Sequence, residues 1–172
     1  EILHRLVGSE MCIRDSLGVE QWEWLENELS KENDLLIIVS SIQVLATNHV
    51  FEKWHNFPHE RERLLKLLEN ISSPVIILSG DRHKAGLYRS KNIIEMTSSS
   101  MNKPISRPFR FIWDLLFKET DDLLNGEMYY GENYGVLTIG VNQNLMLELK
   151  GIDGELILQH TIKKGALKAP SS

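Results

Sequence analysis

Cysteine is nearly absent from this sequence, since Cys12 is the only one among 172 residues. A single cysteine excludes an intramolecular disulfide framework and leaves the redox compartment undetermined. Long apolar runs are missing too. The longest, Leu35–Val39, ends at Ser40, far short of the roughly 20 residues that a membrane-spanning helix needs. We therefore expect a soluble chain with no membrane span.

Positive charge is scarce as well: 19 basic residues face 24 acidic ones, for a formal net charge of −5. Such a chain has no general positive field for a nucleic-acid backbone, so nucleic acid is not expected as a primary partner. The sequence also lacks the G-x-S-x-G, P-loop, G-x-G-x-x-G, C-x-x-C and H-E-x-x-H motifs. Their absence disfavours a serine hydrolase, a nucleotide switch and a zincin.

The first 16 residues are set apart from the rest of the chain. They show no signal-peptide arrangement, and Val7–Ser16 resembles the translated sequencing adapter found at the ends of proteins predicted from assembled reads. We interpret 1–16 as a non-native segment, 17–164 as part of a single domain and 165–172 as a frayed tail. On that interpretation Cys12 is not native, and upstream sequence with any export signal is missing.

Hydrophobic periodicity predicts an α/β fold. Apolar residues at helical spacing predict a helix from Leu17 to about Ser30 and a second helix that begins at Pro58. The continuously apolar runs Leu35–Val39 and Val75–Leu78 predict strands, the first covered on both faces. Strand, helix and strand in this order form a βαβ unit with parallel strands. Their carboxyl ends share one edge, which brings Ser41 and Gln43 near Asp81 and His83.

The remaining elements are a third strand at Ile93–Met96, a short helix around Phe111–Phe117 and an antiparallel meander. The meander strands are predicted at Gly135–Val141, Leu145–Lys150 and Glu155–Ile162, because turn residues separate these three runs.

The segment Leu78–His83 carries the strongest sign of chemistry. If extended geometry persists past Gly80, Asp81 and His83 project to the same side, roughly 6 to 7 Å apart at Cα. One carboxylate and one imidazole suit Zn, Fe, Mn or a mixed dimetal site better than a pure Ca or Mg cage. The alternative is a surface turn in which Asp81 is a cap and His83 is solvated.

The connection Val44–Phe57 is longer than the usual 4 to 6 residues or so. It lies at the same sheet edge and contains His49, Trp54 and His55. Two interpretations stay open for Trp54, a functional one and simple packing against the sheet. A solvated loop histidine is the default for His49 and His55.

Several spaced blocks resemble one known family. The blocks are Leu17-Gly18-x-x-Gln21-Trp22-x-Trp24-Leu25, Ser40–Val44, Glu52-Lys53-Trp54-x-x-Phe57-Pro58-x-Glu60-Arg61, Leu78–His83, Glu95-x-Thr97-Ser98-Ser99 and Asn133-Tyr134-Gly135. In this order they closely resemble the alkaline phosphatase D family of calcineurin-like metallophosphoesterases, from about Leu17 to Ile162.

The resemblance implies a four-layer α/β-β-α sandwich with a dinuclear centre of Fe, Zn, Mn or Ca that hydrolyses phosphate monoesters or diesters. It implies that Asp81 and His83 are metal ligands, that the substrate is a small phosphoester, and that the protein is exported to a periplasmic or extracellular location. Two departures matter. Gln43 and its neighbours stand where the superfamily commonly has a metal-binding histidine, and the family's early ligand motifs have no counterpart.

The chain therefore resembles the carboxyl-terminal part of the catalytic domain, whose missing amino-terminal half is its expected partner. Alone it is expected to show little or no activity and to aggregate through an exposed sheet edge. We assign His49 to protonation of the leaving group and Gln43 to orienting water or touching a metal. Arg82 and Trp54 are assigned to substrate binding, although alternation makes a structural ion pair the stronger expectation for Arg82.

Two other functions stay open. In one, the chain is a non-catalytic binding module with a vestigial metal site, and the Val44–Phe57 loop is presented to a protein or a glycan. In the other, the same metals hydrolyse a non-phosphate ester or a lactone, because fold and metal centre do not fix the substrate.

Overall fold

A computed structural model describes residues 17–102, 120–141 and 144–163 of the chain. It contains two α-helices, a short 3-10 helix at Trp54–Asn56 and seven strands. The helices are α1 (Val19–Leu29) and α2 (Pro58–Glu69), and the strands are β1 (Leu36–Ser40), β2 (Val75–Ser79), β3 (Ala85–Ser90), β4 (Ile93–Ser98), β5 (Asn133–Ile139), β6 (Leu145–Gly151) and β7 (Leu156–Ile162).

Both helices form where the apolar periodicity predicts them. The first backbone N–H groups of a helix have no partner within it, and the Gln21 side chain accepts a bond from the Gly18 N–H at 3.1 Å at the start of α1. Pro58 occupies the first turn of α2, where a missing N–H costs nothing. The Glu60 carboxylate joins the two helices by accepting the Trp22 indole N–H at 2.7 Å.

The expected βαβ unit is confirmed. The mixed four-stranded sheet has the order β1-β2-β4-β3, in which β1, β2 and β4 are parallel and β3 is antiparallel to β4. The register aligns Ser40 with Ser79 and Ser79 with Thr97. The carboxyl ends of all three parallel strands therefore lie at one edge of the sheet.

Strand β3 was not predicted from the sequence. It pairs with β4 as a hairpin that turns near Lys91, whose φ is 51°. Gly86 interrupts its apolar pattern, and a Cβ there would lie 2.3 Å from the Met128 sulfur, so the flexible Met128 side chain would have to move.

The expectation that the first strand is covered on both faces is wrong for the described part of the molecule. Leu36 and Ile38 pack towards the helices, but the side chains on the opposite face, Ile37 and Val39, are 41% and 79% exposed. Strand β1 is at the edge of the described sheet, so among the described residues only β2 pairs with it and its other side is unpaired. This is the kind of edge that favours association with other chains.

The predicted meander is confirmed as a second sheet of order β5-β6-β7. Alternate residues of the central strands face opposite sides. Ile77 and Ile93 join the helix-side core, whereas Ile76 and Ile94 pack with Leu147 against the meander. The layers are thus helices, mixed sheet and meander. The helix expected around Phe111–Phe117 lies outside the described residues, and no described helix is long and apolar enough to cross a bilayer.

Candidate metal and substrate site

The turn after β2 holds the two candidate metal ligands. Extended geometry does not persist past Gly80, contrary to the sequence-based expectation, because Asp81 and His83 have left-handed φ values of 56° and 51°. Burial still alternates: Asp81 and His83 are exposed, and Arg82 and Lys84 are buried. Both candidate ligands are therefore open to solvent at the carboxyl edge of the sheet. A metal position shared by the two stays a prediction.

Ser99 fixes this turn against β4. Its hydroxyl accepts the Arg82 backbone N–H at 2.8 Å and lies 3.3 Å from the Lys84 carbonyl, to which it donates. The backbone also runs close to its neighbours at Gly80, where an added Cβ would lie 3.7 Å from both the Ser41 carbonyl oxygen and the Ser99 Cβ. The polar residues after β1, β2 and β4 thus meet at one place, as the βαβ argument predicts.

Arg82 points into the protein. Its guanidinium donates to the Nδ1 atom of His49 at 2.7 Å and lies 5.0 Å from the centre of the Phe51 ring. The side chain is 5% exposed, so these contacts favour the structural role that alternation indicated. Its assignment to phosphate binding stays a prediction.

His49 is held as a neutral imidazole. Burial lowers the pKa of His49 to about 3, and the positive charges of Arg82, Lys53 and Lys84 act in the same direction. Because Arg82 donates to Nδ1, the single ring proton of a neutral His49 resides on Nε2. That atom is buried and has no hydrogen-bond partner among the described residues. His49 is thus equipped to donate a hydrogen bond without carrying charge.

Gln43 lies fully buried below the edge. Its side-chain amide donates to the Thr97 hydroxyl at 2.8 Å, and that hydroxyl lies 2.9 Å from the Ser79 hydroxyl. The carbonyl oxygen Oε1 of Gln43 has no partner among the described residues. A buried acceptor without a partner is costly, and a water molecule or a cation would satisfy it.

Glu95 anchors the Val44–Phe57 loop from inside the sheet. Its two carboxylate oxygens accept the backbone N–H groups of Val44 and Leu45 at 2.9 and 2.6 Å. Burial raises the pKa of Glu95, opposed by the Ser79 hydroxyl, the two N–H groups and the charge of Arg61. A fully buried carboxylate thus fixes the start of the loop.

Arg61 and Asp121 complete this anchor from other elements. Arg61 donates to the carbonyls of Val44 and Leu45 at 2.7 and 2.8 Å. Asp121 accepts the backbone N–H of Thr47 at 2.6 Å and that of Asn48 at 3.1 Å. Burial would raise the pKa of Asp121, but these bonds and one from the Leu123 N–H outweigh it and lower the pKa.

Trp54 packs in the helix-side core. Its side chain is 8% exposed and meets the Trp22 ring edge-on at 6.4 Å between ring centres. Its indole N–H donates to the Ser40 hydroxyl at 3.2 Å. These contacts favour packing for Trp54, and its assignment to substrate binding stays a prediction. His55, in the 3-10 helix, is exposed.

A cleft of about 450 Å³ opens beside the turn, between the carboxyl ends of β2 and β4 and the start of β5. Its size is within the range of small-molecule sites. None of its described lining residues is charged. They are Leu78, Ser79, Met96, Ser98, Ser99, Ser100, Met101, Asn102, Asn133, Tyr134 and Gly135.

The fit of a metal to these residues is partial. Asp81 and His83 provide an oxygen and a nitrogen donor, and Oε1 of Gln43 is a further oxygen. No group of three or more histidine, cysteine, aspartate or glutamate side chains in the described ranges could hold a metal ion. A catalytic zinc takes about three protein ligands, so a centre built here needs donors beyond those described.

The sequence argument missed Glu95, Arg61 and Asp121 as parts of the site. Glu95 carried one available signal, because an acidic residue inside an otherwise apolar strand needs a buried partner. Arg61 stood in one of the resemblance blocks without an assigned role, and Asp121 carried no signal, since each binds loop backbone far away in the chain. The serines after β4 were visible as a polar run, without an indication that they line a cleft.

Comparison with known proteins shows the fold. No family model matches the sequence, and no curated protein matches it. Among solved structures, the structure of PhoD matches with a TM-score of 0.65 at 16% identity, over 88% of this chain and 34% of that chain. GAP50, described as the anchor in the inner membrane complex of Plasmodium, matches with a TM-score of 0.63 at 16% identity, over 87% of this chain and 45% of that chain.

The described α/β architecture, a mixed four-stranded sheet with a three-stranded antiparallel meander, matches part of the fold of both proteins. The chain spans about a third of the length of PhoD and under half that of GAP50. The structural match agrees with the alkaline phosphatase D resemblance seen in the sequence blocks.

Proposed function

We propose that this chain contributes part of the catalytic centre of a metal-dependent phosphoester hydrolase. The observation that carries the proposal is the exposure of Asp81 and His83 at the carboxyl edge of parallel strands. Ligands in open α/β sheets bind at this edge. The fold likeness to PhoD supports the same function, and the remaining metal ligands are proposed to come from outside the described residues.

In this function Asp81 and His83 hold the metal centre, and Gln43 offers its buried carbonyl oxygen to a metal or to a water molecule. The cofactor is proposed to be dinuclear, with Fe, Zn, Mn or Ca as candidate ions. Two bound cations supply Lewis acidity and an activated water for in-line displacement at phosphorus. The substrate is a small phosphate monoester or diester.

His49 and Arg82 form a hydrogen-bonded pair next to the Asp81–His83 turn. Arg82 fixes the ring of His49 through Nδ1 and so leaves the Nε2 proton available. With a pKa of about 3, His49 is neutral near pH 7 and has no imidazolium proton to transfer, but its Nε2–H can donate a hydrogen bond to developing negative charge. We therefore propose that His49 stabilises the leaving oxygen by a hydrogen bond, in place of the protonation that the sequence suggested.

The test uses a protein that includes upstream coding sequence, loaded with Mn²⁺ or Zn²⁺ and assayed on bis(p-nitrophenyl) phosphate. Asp81→Asn and His83→Ala are each expected to lower bound metal and to reduce turnover by more than about 100-fold. Losing the outer partner of a metal ligand already costs roughly 10- to 100-fold. Because both residues are exposed, the urea midpoint of unfolding of the metal-free protein should not change.

His55→Ala is the matched control, since His55 is an exposed histidine at the same sheet edge. It should leave metal content and turnover unchanged. Full metal content and full turnover in both Asp81→Asn and His83→Ala would refute the proposed ligands.

A second candidate function is a non-catalytic binding module. GAP50 shares the fold and is described as an anchor, and the described residues hold no complete metal cluster. In such a module, the Glu95-anchored loop would present its exposed residues, such as Phe51 and His55, to a partner. A longer protein that binds no Mn²⁺ or Zn²⁺ and hydrolyses neither a phosphodiester nor a monoester would favour this function.

A further inference from the structure

The cleft beside the Asp81–His83 turn has no assigned occupant, and its lining indicates one. We propose that it binds an uncharged, hydroxyl-rich organic group, of the chemical class of a sugar ring. If the cleft serves catalysis, this group is the alcohol portion of the phosphoester, and that part of the inference rests on the proposed function.

The lining combines two kinds of surface. Leu78, Met96 and Met101 supply apolar area, while serine and asparagine side chains supply neutral hydrogen-bonding groups. A site of this kind suits a molecule with C–H faces and several hydroxyls. It does not suit an isolated phosphate, because the described lining offers no cation to pair with the charge.

Ser100 is the clearest sign that a ligand completes the cleft. Ser100 lines the cleft and is 1% exposed, and its hydroxyl has no hydrogen-bond partner among the described residues. Its backbone carbonyl is already engaged by the Asn133 N–H at 3.1 Å, so the main chain there is fixed. A buried hydroxyl without a partner costs free energy, and a ligand hydroxyl would recover that cost.

The cleft is joined to the turn through Ser99. This residue lines the cleft, and its hydroxyl accepts the Arg82 backbone N–H. Ser79 makes a second link, because it lines the cleft and its hydroxyl lies 2.9 Å from the Thr97 hydroxyl that Gln43 also contacts. Through Ser99 and Ser79, the cleft is therefore in contact with the Asp81–His83 turn and with the hydrogen bonds of Gln43.

The methionines provide built-in reporters for the test. Met96 and Met101 line the cleft, whereas Met128 and Met146 do not. In the 172-residue chain with ¹³C-labelled methionine methyl groups, methyl β-D-glucoside is expected to shift the signals of Met96 and Met101 and to leave those of Met128 and Met146 unchanged. Cyclohexanol, a ring with one hydroxyl, should bind several-fold more weakly, and inorganic phosphate should cause no shift.

Ser100→Ala separates binding from folding. Removing an unpartnered hydroxyl should leave the urea midpoint unchanged or raise it, but weaken glucoside binding about fivefold or more. Ser73→Ala is the matched control, because Ser73 is a buried serine outside the cleft, and glucoside binding should be unchanged.

The inference would be overturned by no shift of Met96 and Met101, by equal binding of cyclohexanol, or by undiminished glucoside binding in Ser100→Ala. A shift caused by phosphate alone would also overturn it. The experiment uses neither metal nor turnover, so its failure is distinguishable from failure of the proposed hydrolase function.

Discussion

The residues that follow β1 and those that follow β2 meet at one sheet edge but differ in burial. After β1, Gln43, Val44 and Leu45 are fully buried, and the loop backbone is bound by Glu95. After β2, Asp81 and His83 are exposed and their backbone is left-handed. The buried carboxylate of Glu95 binds loop backbone, whereas the side chains of Asp81 and His83 lie at the surface.

The contrast limits what a perturbed pKa indicates here. Groups with shifted pKa values are often functional. In this protein Glu95, Arg61 and Asp121 have shifted pKa values and bind loop backbone. Their contacts explain the shifts without catalysis. A shifted pKa therefore does not by itself mark a catalytic group in this protein.

The largest expected effect comes from removing Glu95. Glu95→Ala leaves the N–H groups of Val44 and Leu45 buried without acceptors and Arg61 without its nearby negative charge. We expect a loss of about 3 to 5 kcal/mol in the free energy of unfolding, as for other broken buried charge networks. Urea unfolding of purified variants measures it.

Two further variants make this measurement decisive. Glu95→Gln should lose less of the free energy of unfolding than Glu95→Ala, because the glutamine carbonyl oxygen still accepts one of the two N–H groups. Glu62→Ala, at an exposed glutamate whose pairing with Lys66 is on the surface of α2, should leave the midpoint nearly unchanged. Equal midpoints for Glu95→Ala and Glu62→Ala would show that the loop is not anchored by Glu95.

A middle-sized effect is expected at Asp121, with a defined pH dependence. The pKa of Asp121 is lowered in the folded chain, so its stabilisation is fully present above the ordinary aspartate pKa and is lost as the pH falls through the lowered value. Asp121→Asn should therefore cost about 1 to 2 kcal/mol at pH 7 and progressively less as the solution is acidified below the ordinary aspartate range.

Urea midpoints of the two proteins across this pH range test the prediction, and faster exchange of the Thr47 and Asn48 amide protons should accompany the loss at pH 7. Asp153→Asn, at an exposed turn, is the control, and its urea midpoint should equal that of the unmodified chain at each pH. A difference between Asp121→Asn and the unmodified chain that grows on acidification would contradict the sign.

The smallest effect concerns the strained turn itself. A left-handed φ costs an L-residue about 1 kcal/mol, a cost that glycine avoids. Asp81→Gly should therefore be more stable than Asp81→Ala by about that amount, although both remove the carboxylate. The same comparison at Lys91, which has the same conformation in the β3–β4 hairpin, is the control. If Lys91→Gly is more stable than Lys91→Ala but Asp81→Gly is not more stable than Asp81→Ala, the backbone at Asp81 is not left-handed.

Much of the fold could be predicted because its patterns are local. The helices, the parallel βαβ strands and the meander follow from apolar period, turn residues and the handedness of the crossover. Strand β3 could not be found, because Gly86 interrupts its apolar pattern and the strand is recognised only by its antiparallel pairing with β4. The exposure of Val39 also escaped prediction, since a continuous apolar run does not tell which sheet position the strand takes.

The candidate site was predictable only in outline. Asp81 and His83 were identified by their place after a buried strand, and their roles as metal ligands stay a prediction. The extended backbone expected for them was wrong, because the Arg82 N–H binds the Ser99 hydroxyl and turns the chain there. The boundaries at 1–16 and 165–172 fall outside the described residues and stay predictions too.

The amino-acid sequence by itself determined the kinds of element, their order and the sheet edge at which polar residues gather, because these depend on spacing within a few turns or strands. Only the tertiary structure decided which of those polar residues are buried anchors, which remain exposed and where a cleft opens. The reason is physical: the bonds that make these distinctions join residues as far apart as Val44 and Glu95, 51 positions along the chain, and they exist only once the sheet has formed.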